Sequence, residues 1–454
     1  MKEYSSFRDP SGFIFRRDGI LYRQINQCYA VQWDTFEKSG LAGQLTREGL
    51  LVPYQSVQIP AEDPEKAYQI IRPEEIPIIS YPYEWCFGEY KDAALTTLKI
   101  ARKALDCGMI LKDASAYNIQ FKQGKPVFID TLSFEMYREG MPWIAYGQFC
   151  RHFLAPLLLM ANVDIRLSNL MRNYIDGIPL DLTDKLLHRK GGFTAFQHIH
   201  LHALSISKHA DDGNKKGSPQ QIKISKFNLT AMIDGLIRAV EGINPPKIVS
   251  EWGDYYQRTN YSDAAAKNKA NLVSAFLDEV KPASVWDMGA NDGRYSEIAV
   301  EKGAFTAALD IDPNAVEFNY QQVKKTNKEM LPLIFDFTNP SPSIGFDNQE
   351  RKTLSERQKP DCILALAVIH HMAISNNLPF AMIAEWFASM TDALLIEFVP
   401  KTDSQVQILL MTRDDIFPNY REDEFERVFT EKFGSCEKKP IEGSDRMLFL
   451  FRKK

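Results

Sequence analysis

The sequence has few features of a secreted, membrane-spanning or disulfide-stabilised protein. Its six cysteines lie far apart and form no C-x-x-C pair, which argues against a disulfide framework or a zinc site and predicts reduced thiols. The longest apolar run, residues 153–160, is too short to cross a bilayer. The N-terminus lacks the charged-then-apolar pattern of a signal peptide. These absences predict a cytoplasmic protein without a membrane span.

The sequence also lacks a concentration of basic residues. Its net charge is −5, and its lysines and arginines are scattered, so we expect no nucleic-acid partner. With 454 residues and 44% hydrophobic content, the chain is long and apolar enough for two or three globular domains with real cores.

A change of composition divides the chain. Residues 208–224 are rich in Gly, Asp, Asn, Lys and Gln, as expected of a linker. We therefore predict an α+β domain at 1–225 and a second domain at 226–454, which begins with helices at 229–241 and 267–280. Apolar strands and amphipathic helices then alternate, which predicts βαβ units and a doubly wound α/β sheet.

The stretch at residues 285–296, VWDMGANDGRYS, runs from an apolar strand through an acid and two glycines into a helix-like segment. A dinucleotide site needs G-x-G-x-x-G, but the third and sixth positions from Gly289 are Asn291 and Arg294. Asp310 ends the next apolar strand, 23 positions after Asp287. An acid there can accept hydrogen bonds from a ribose diol, and ligands of such sheets bind outside the carboxyl ends of the strands.

The pattern D-x-G-x-N-x-G resembles motif I of the class I S-adenosylmethionine-dependent methyltransferases. The resemblance implies that Asp287 organises the site beside the cationic amino-acid end of the cofactor and that Asp310 holds the ribose hydroxyls. Asp336 and Phe337 match the family's acid and apolar residue at the adenine. The implied cofactor-binding residues are Asp287, Gly289, Ala290, Asn291, Gly293, Asp310, Ile311, Asp336, Phe337 and Ala367. In the alternative interpretation, Asp287 only caps the turn and the next helix.

A third apolar stretch, residues 361–372, ends in the pair His370 and His371 and resembles the family's fourth-strand motif. Either imidazole can act as a catalytic base if the methyl acceptor must lose a proton, because histidine titrates near neutral pH. In the alternative, one His packs in the sheet and the other bonds backbone. No third ligand lies at metal-binding spacing, so we expect no metal in this domain.

A second signature lies in the N-terminal half. Asp113 is followed by Asn118 and then by Asp130, with a predicted β-hairpin between them that turns at residues 123–125. This spacing resembles the catalytic loop and metal-binding acid of the protein-kinase-like fold. The resemblance implies Asp113 at the catalytic-base position, Asn118 and Asp130 at metal positions, and Mg-ATP as the ligand. In the alternative, these residues only form turns.

The N-terminal half departs from the kinase pattern in several places. Lys112 replaces the histidine before the catalytic Asp, and Asp130 is followed by Thr131-Leu132 rather than Phe-Gly. No V-A-I-K strand is evident, and Arg23 is the nearest basic candidate. These departures predict a degenerate kinase-like domain.

Together, the opening DPSGFIFRRDG, the D-x-x-x-x-N loop and the methyltransferase motifs are similar to a bacterial family of long class I methyltransferases related to a nodulation protein. The resemblance implies a methyltransferase that uses S-adenosylmethionine and acts on a small-molecule or glycan-like acceptor. The alternative is a nucleotide-binding scaffold or a kinase-like phosphotransferase with a regulatory methyltransferase-like domain.

Overall fold

The chain forms two compact units. The computed structural model describes residues 2–187, 223–246, 262–411 and 414–454. Unit 1 consists of residues 1–247 and 342–352, and unit 2 consists of residues 248–341 and 353–454. Most of the predicted linker at 208–224 lies outside the described residues.

Unit 1 combines a four-stranded antiparallel sheet with short hairpins and helices. The sheet has the strand order β1-β2-β4-β3, and the pairs β5–β8 and β6–β7 form two smaller sheets. Its elements are β1 (Gly12–Arg17), β2 (Ile20–Asn26), α1 (Ala30–Lys38), α2 (Leu41–Arg47), β3 (Tyr54–Val57), β4 (Ala67–Pro73), α3 (Phe87–Asp106), β5 (Met109–Leu111), β6 (Ile119–Lys122), β7 (Lys125–Phe128), β8 (Phe134–Met136), α4 (Tyr146–Phe149), α5 (Ala155–Asn162), α6 (Leu170–Asn173), α7 (Leu180–Leu186) and α8 (Lys226–Glu241).

Helix α3 is the central helix of unit 1. It begins where the Glu89 carboxylate accepts a hydrogen bond from the Cys86 N–H at 2.9 Å, and it ends before Gly108, whose φ of 73° suits a glycine. Helix α8 packs against it, and Lys91 on α3 donates to the carbonyl of Glu241. Helix α8 therefore belongs to unit 1, whose first stretch ends at residue 247.

A short segment from the second half of the sequence, residues 342–352, folds into unit 1. The Arg8 guanidinium donates two hydrogen bonds to the Glu350 carboxylate. Its Nε donates to Oε1, and its Nη2 donates to Oε2 at 2.9 Å. The Arg351 guanidinium lies 4.5 Å above the ring of Tyr117. Residues 342–352 interrupt the sequence of unit 2 between its third and fourth strands, which the sequence pattern did not indicate.

Unit 2 is built on a seven-stranded sheet with the order β11-β10-β9-β12-β13-β15-β14. The first five strands are parallel, whereas β15 is antiparallel to both of its neighbours. Its elements are α9 (Asp263–Val280), β9 (Ser284–Met288), α10 (Arg294–Glu301), β10 (Phe305–Asp310), α11 (Pro313–Thr326), β11 (Met330–Ile334), α12 (Leu354–Arg357), β12 (Cys362–Ala365), α13 (Phe380–Met390), β13 (Ala393–Phe398), α14 (Ser404–Leu410), α15 (Glu422–Phe433), β14 (Gly434–Pro440) and β15 (Met447–Lys453).

The strand order reverses between β9 and β12. The chain first runs outward from β9 through β10 to β11, then crosses to β12 and continues to β13 on the other side. Ligands of open parallel sheets bind at such a switch point, outside the carboxyl ends of the strands. The predicted doubly wound α/β architecture is confirmed in unit 2, and the antiparallel edge makes the sheet mixed.

The core of unit 2 includes one cluster in which helices α9 and α10 cover the sheet. Apolar side chains from α9, such as Phe276, pack with Tyr295 on α10 and with Leu364 and Leu395 on the central strands. These strands are buried on both faces, which explains their nearly continuous apolar sequences. None of the helices in the described ranges combines the length and apolarity needed to cross a bilayer.

Candidate active site

The turn after β9 has a conformation that needs its glycines. Gly289 has a φ of 84°, and a Cβ at this position would lie 2.4 Å from Cγ1 of Val368, which follows β12. The N–H groups of Gly289 and Ala290 both donate to the carbonyl of Leu309 on β10, at 2.8 and 3.0 Å. The turn is thus hydrogen-bonded to β10 and packed against the residues after β12, so its backbone lies at the switch point of the sheet.

Gly293 ends the turn and precedes helix α10. Its φ is 79°, and an added Cβ would lie 2.6 Å from Oδ1 of Asn319 on α11. The Asn319 amide in turn donates to the carbonyl of Asn291 at 2.6 Å. Asn291 itself has a φ of 46°, a conformation that asparagine tolerates better than most residues. The turn is therefore held from the helix side as well.

Asp287 is buried on β9, just before the turn. Its side chain is almost completely enclosed, and its carboxylate accepts a hydrogen bond from the Ser296 hydroxyl on α10 at 2.6 Å. Burial raises the pKa of Asp287 to about 6, although the Ser296 hydrogen bond and the charge of Lys269 oppose the increase.

Asp310, at the end of β10, is tied directly to the glycine turn. Its carboxylate accepts hydrogen bonds from the Asn291 N–H at 2.8 Å and from the Asp312 N–H at 2.9 Å. Burial raises the pKa of Asp310 to about 6, and the nearby carboxylate of Asp312 adds to the increase. The structure thus brings two of the predicted site residues, Asn291 and Asp310, into contact. Ile311, next in the chain, is about half exposed.

Asp336 and Phe337 follow the end of β11 at the same edge of the sheet. The Asp336 carboxylate accepts hydrogen bonds from the Thr338 N–H at 2.9 Å and the Thr338 hydroxyl at 2.7 Å. It therefore stabilises its own turn. Phe337 packs against Phe335, with ring centroids 5.6 Å apart. The preceding Phe335 N–H donates to the Asp310 carbonyl at 2.8 Å, which places this loop next to the end of β10.

The two histidines do not end a strand as the sequence predicted. Strand β12 stops at Ala365, and Ala367 has a φ of 56°, so the chain turns before it reaches the pair. His371 begins a single helical turn that runs to Ser375. The early end of the strand reflects this left-handed turn, which breaks the extended conformation.

The imidazoles of His370 and His371 lie against each other, with ring centroids 4.1 Å apart. His370 is buried, and within the described part of the chain its Nδ1 has no hydrogen-bond partner. Burial lowers the pKa of His371 to about 4 and lowers that of His370 well below its usual range, and the positive charge of Arg446 contributes to both decreases. Both rings are therefore neutral at physiological pH.

Unit 2 also contains a chain of buried charges that no sequence motif indicated. The Lys269 ammonium on α9 donates to Oε2 of Glu397 on β13 at 2.5 Å. Arg446 donates to Oε1 of Glu397 at 3.2 Å and to Oδ2 of Asp403 at 2.8 Å. The side chains of Lys269, Glu397 and Arg446 are at most 3% exposed. Because these residues are far apart in the sequence, no motif indicated the cluster.

In unit 1, the three predicted residues lie in one place. The Asp113 carboxylate accepts hydrogen bonds from Gln148 at 2.8 Å and from the Ser115 N–H at 2.9 Å. Burial raises the pKa of Asp113, and the nearby carboxylate of Asp130 raises it further, whereas Asn118 lowers it. The Ile129 N–H donates to the Asn118 carbonyl at 2.9 Å, which places Asn118 next to Asp130, and Asp113 lies near enough to both for them to affect its pKa.

Arg23 on β2 completes this cluster of side chains. Its guanidinium donates to the Asp130 carboxylate and, at 3.4 Å, to the Thr131 hydroxyl. Although burial raises the pKa of Asp130, the Arg23 charge and a hydrogen bond from Ser133 outweigh burial and lower it. Across the described ranges of the chain, no group of three or more His, Cys, Asp or Glu side chains is placed to hold a metal ion.

Comparison with known proteins shows one relative of full length. The chain is 35% identical to the nodulation protein NoeA of Rhizobium meliloti (strain 1021) over 456 residues, which cover 99% of this chain and 95% of NoeA. No family model matches the sequence.

Two solved methyltransferase structures resemble part of the chain. The magnesium protoporphyrin IX methyltransferase ChlM of Synechocystis PCC 6803, with bound SAH, matches 45% of this chain and 92% of its own, with 17% identity and a TM-score of 0.32. The N-methyltransferase NodS of Bradyrhizobium japonicum WM9 matches 42% and 98%, with 11% identity and a TM-score of 0.31.

The match to NoeA covers nearly the whole chain and therefore includes both units. The predicted resemblance to a nodulation-protein family is thereby confirmed. The chain belongs to the family of the nodulation protein NoeA.

Proposed function

We propose that the protein is an S-adenosylmethionine-dependent methyltransferase that acts in the cytoplasm on a small-molecule or glycan-like acceptor. The observation that carries the proposal is the contact between the glycine turn and the Asp310 carboxylate at the switch point of the unit 2 sheet. A glycine turn beside a strand-end acid suits a nucleoside ligand better than a pyrophosphate, because two of the three glycines of a dinucleotide site are missing.

The residues of unit 2 fit this cofactor by their chemistry. Gly289 and Gly293 leave no room for a Cβ, so the turn presents bare backbone. Asp287 supplies an anion near the cationic amino-acid end, and Asp310 supplies an acceptor for the ribose diol. The remaining proposed contacts come from Ala290, Asn291, Ile311, Asp336, Phe337 and Ala367.

When bound, S-adenosylmethionine supplies an electrophilic methyl group. The protein's contribution is to align the acceptor with this group and to exclude water. His371 is half-buried and neutral, so it is the group proposed to take a proton from an acceptor hydroxyl or amine. His370 is more deeply buried and packs against His371, which fixes the orientation of that ring.

Calorimetry with S-adenosylhomocysteine tests the proposal. We expect binding at sub-millimolar concentration to the full-length protein, and absence of binding there would overturn the assignment. Adenosine serves as the matched ligand without the amino-acid part, so the difference between the two ligands reports the contribution of that end of the cofactor.

We also propose that unit 1 is a kinase-like domain that binds Mg-ATP without ordinary protein phosphorylation. The convergence of Asp113, Asn118 and Asp130 with Arg23 supports this second function. Phosphoryl transfer needs metal ligands together with a cation on the phosphates. Here Arg23 is paired with Asp130, the acid proposed to bind the metal, and not with a phosphate. We therefore expect phosphoryl transfer to be slow or redirected.

Thermal unfolding with Mg-ATP, with ATP and EDTA, and without nucleotide tests this second proposal. We expect Mg-ATP to stabilise the protein, and we expect Asp130→Asn to abolish the stabilisation while Asp18→Asn, in the β1–β2 turn, leaves it unchanged. Labelling of a generic protein substrate that Asp113→Ala abolishes would show an active protein kinase and contradict the proposal.

A further inference from the structure

The chain of buried charges in unit 2 calls for a role other than stability. Two charges removed from water lose solvation energy that their mutual attraction only partly restores, and apolar residues of similar size often stabilise such a position equally well. Lys269, Glu397 and Arg446 are nevertheless buried together. Buried charges next to a cleft are typical of functional sites.

The position of the chain connects it to the proposed cofactor site. Glu397 lies near the carboxyl end of β13, and Lys269 reaches it from α9, which covers the sheet on the side of Asp287. The chain contains the acids Asp287, Glu397 and Asp403 and the cations Lys269 and Arg446. The formal charges of these five groups add to −1.

We propose that Lys269 is a positioning residue for cofactor binding: its ammonium, anchored on Glu397, keeps the Asp287 carboxylate anionic so that it can pair with the ammonium of the bound cofactor. The inference rests on the proposed methyltransferase function and assigns a role to a residue outside the glycine turn. Lys269 acts through Asp287 and does not itself touch the cofactor.

The groups that face Asp287 explain why a cation is needed there. From α10 the Ser296 hydroxyl donates to it, while Asp292 in the turn and Asp310 on β10 both add negative charge that opposes its ionisation. Leu364 on β12 is in register with Asp287 and carries no charge. Lys269 is the cation whose charge favours the anionic form of Asp287. Burial and the charges of these two acids oppose the ionisation of Asp287, and the charge of Lys269 favours it.

Burial lowers the pKa of Lys269, and the charge and hydrogen bond of Glu397 oppose the decrease. Its ammonium donates to Glu397 at 2.5 Å and lies 4.6 Å above the ring of Tyr295, whose face attracts a cation. Glu397 in turn is held by Arg446. The ammonium is therefore held in place by Glu397 and Tyr295.

The test compares two ligands over a range of pH. Calorimetry with S-adenosylhomocysteine and with adenosine is performed from pH 5 to pH 8 on the full-length protein and on Lys269→Met, Lys269→Gln and Lys269→Arg. Adenosine lacks the amino-acid part, so its affinity reports the ribose acid Asp310, and the ratio of the two affinities isolates Asp287. Lys302→Met, at an ion pair with Asp278, is the matched control.

In the wild type, the affinity ratio should fall as the pH falls through about 6, the pKa of Asp287. Lys269→Met should move this midpoint upward by about 1 pH unit, which lowers the ratio about fivefold at pH 6. Lys269→Arg and Lys302→Met should leave the midpoint unchanged. Adenosine affinity should stay the same in all variants, which a merely structural role of Lys269 would not predict.

Two results would overturn the inference. One is a folded Lys269→Met variant with the midpoint of the wild type, and the other is an equal loss of affinity for both ligands. If Lys269→Met does not fold, Lys269→Gln decides, because it removes the charge but keeps a hydrogen-bond donor for Glu397 and must raise the midpoint. Failure of the wild type to bind S-adenosylhomocysteine at any pH would instead overturn the proposed function.

Discussion

Gly289 and Val368 lie so close together that a Cβ on Gly289 would be 2.4 Å from Cγ1 of Val368. Val368 belongs to the left-handed turn after β12, and Gly289 begins the turn after β9. This contact joins the two loops on either side of the switch point, where the cofactor is proposed to bind. The glycine is thus required by packing as well as by a φ of 84°.

Gly289→Ala should destabilise the protein by about 2 to 4 kcal/mol, because it adds a steric clash to the strain of a positive φ. Gly303→Ala is the matched control, because Gly303 has a φ of 89° with no atom within 4 Å of an added Cβ. Chemical denaturation of both variants isolates the clash as their difference. Equal losses of stability in the two variants would show that Val368 moves away from the added Cβ without lowering the free energy of unfolding.

Asp310→Ala should weaken S-adenosylhomocysteine binding by about 1 to 3 kcal/mol, the scale of losing hydrogen bonds to a charged acceptor. The variant also frees the Asn291 N–H, so the glycine turn loses one of its attachments. Calorimetry at pH 7.5 measures the effect, with the exposed Asp278→Ala as control. Unchanged affinity would remove Asp310 from the site.

Asp287→Asn should make the protein without ligand more stable at neutral pH. Burial raises the pKa of Asp287 from 3.8 to about 6, so the folded state binds its proton more tightly than the unfolded state does. The free energy of unfolding therefore falls as the pH rises from about 4 to about 6, and the deficit of about 3 kcal/mol persists above that.

Thermal unfolding at pH 4 and pH 7.5 measures this effect. The melting temperature of Asp287→Asn should exceed that of the wild type at pH 7.5 and approach it at pH 4. The exposed Asp392→Asn is the control and should show no such gain. An equal gain at both pH values would contradict the role of the buried carboxylate.

Glu350→Ala should loosen residues 342–352 from unit 1. The Glu350 side chain is 1% exposed and receives the Arg8 guanidinium, which is itself half exposed, so we expect a loss of about 1 to 2 kcal/mol. Limited proteolysis should cut within 342–352 sooner than in the wild type. Glu62→Ala, at the surface pair with Arg17, is the control, and equal cleavage of both variants would contradict the prediction.

Local patterns in the sequence determined much of unit 2. Alternation of apolar stretches and amphipathic helices predicted the doubly wound sheet, because strands buried on both faces need continuous apolar residues. Strand-end acids and a glycine turn placed Asp287, Gly289 and Asp310 together, because parallel strands present their carboxyl ends at one edge. In unit 1, the spacing of Asp113, Asn118 and Asp130 predicted their convergence for a similar local reason: a short hairpin joins them.

Only the tertiary structure decided contacts between distant residues. Lys269, Glu397 and Arg446 come from a helix, a strand and a loop, and no periodicity links them. Residues 342–352 join unit 1 through an ion pair with Arg8, more than 300 positions away in the sequence. The end of β12 before the histidines depends on a left-handed Ala367, which apolar composition does not indicate. Such features arise from packing between elements, whereas sequence patterns report the conformation and burial of each element alone.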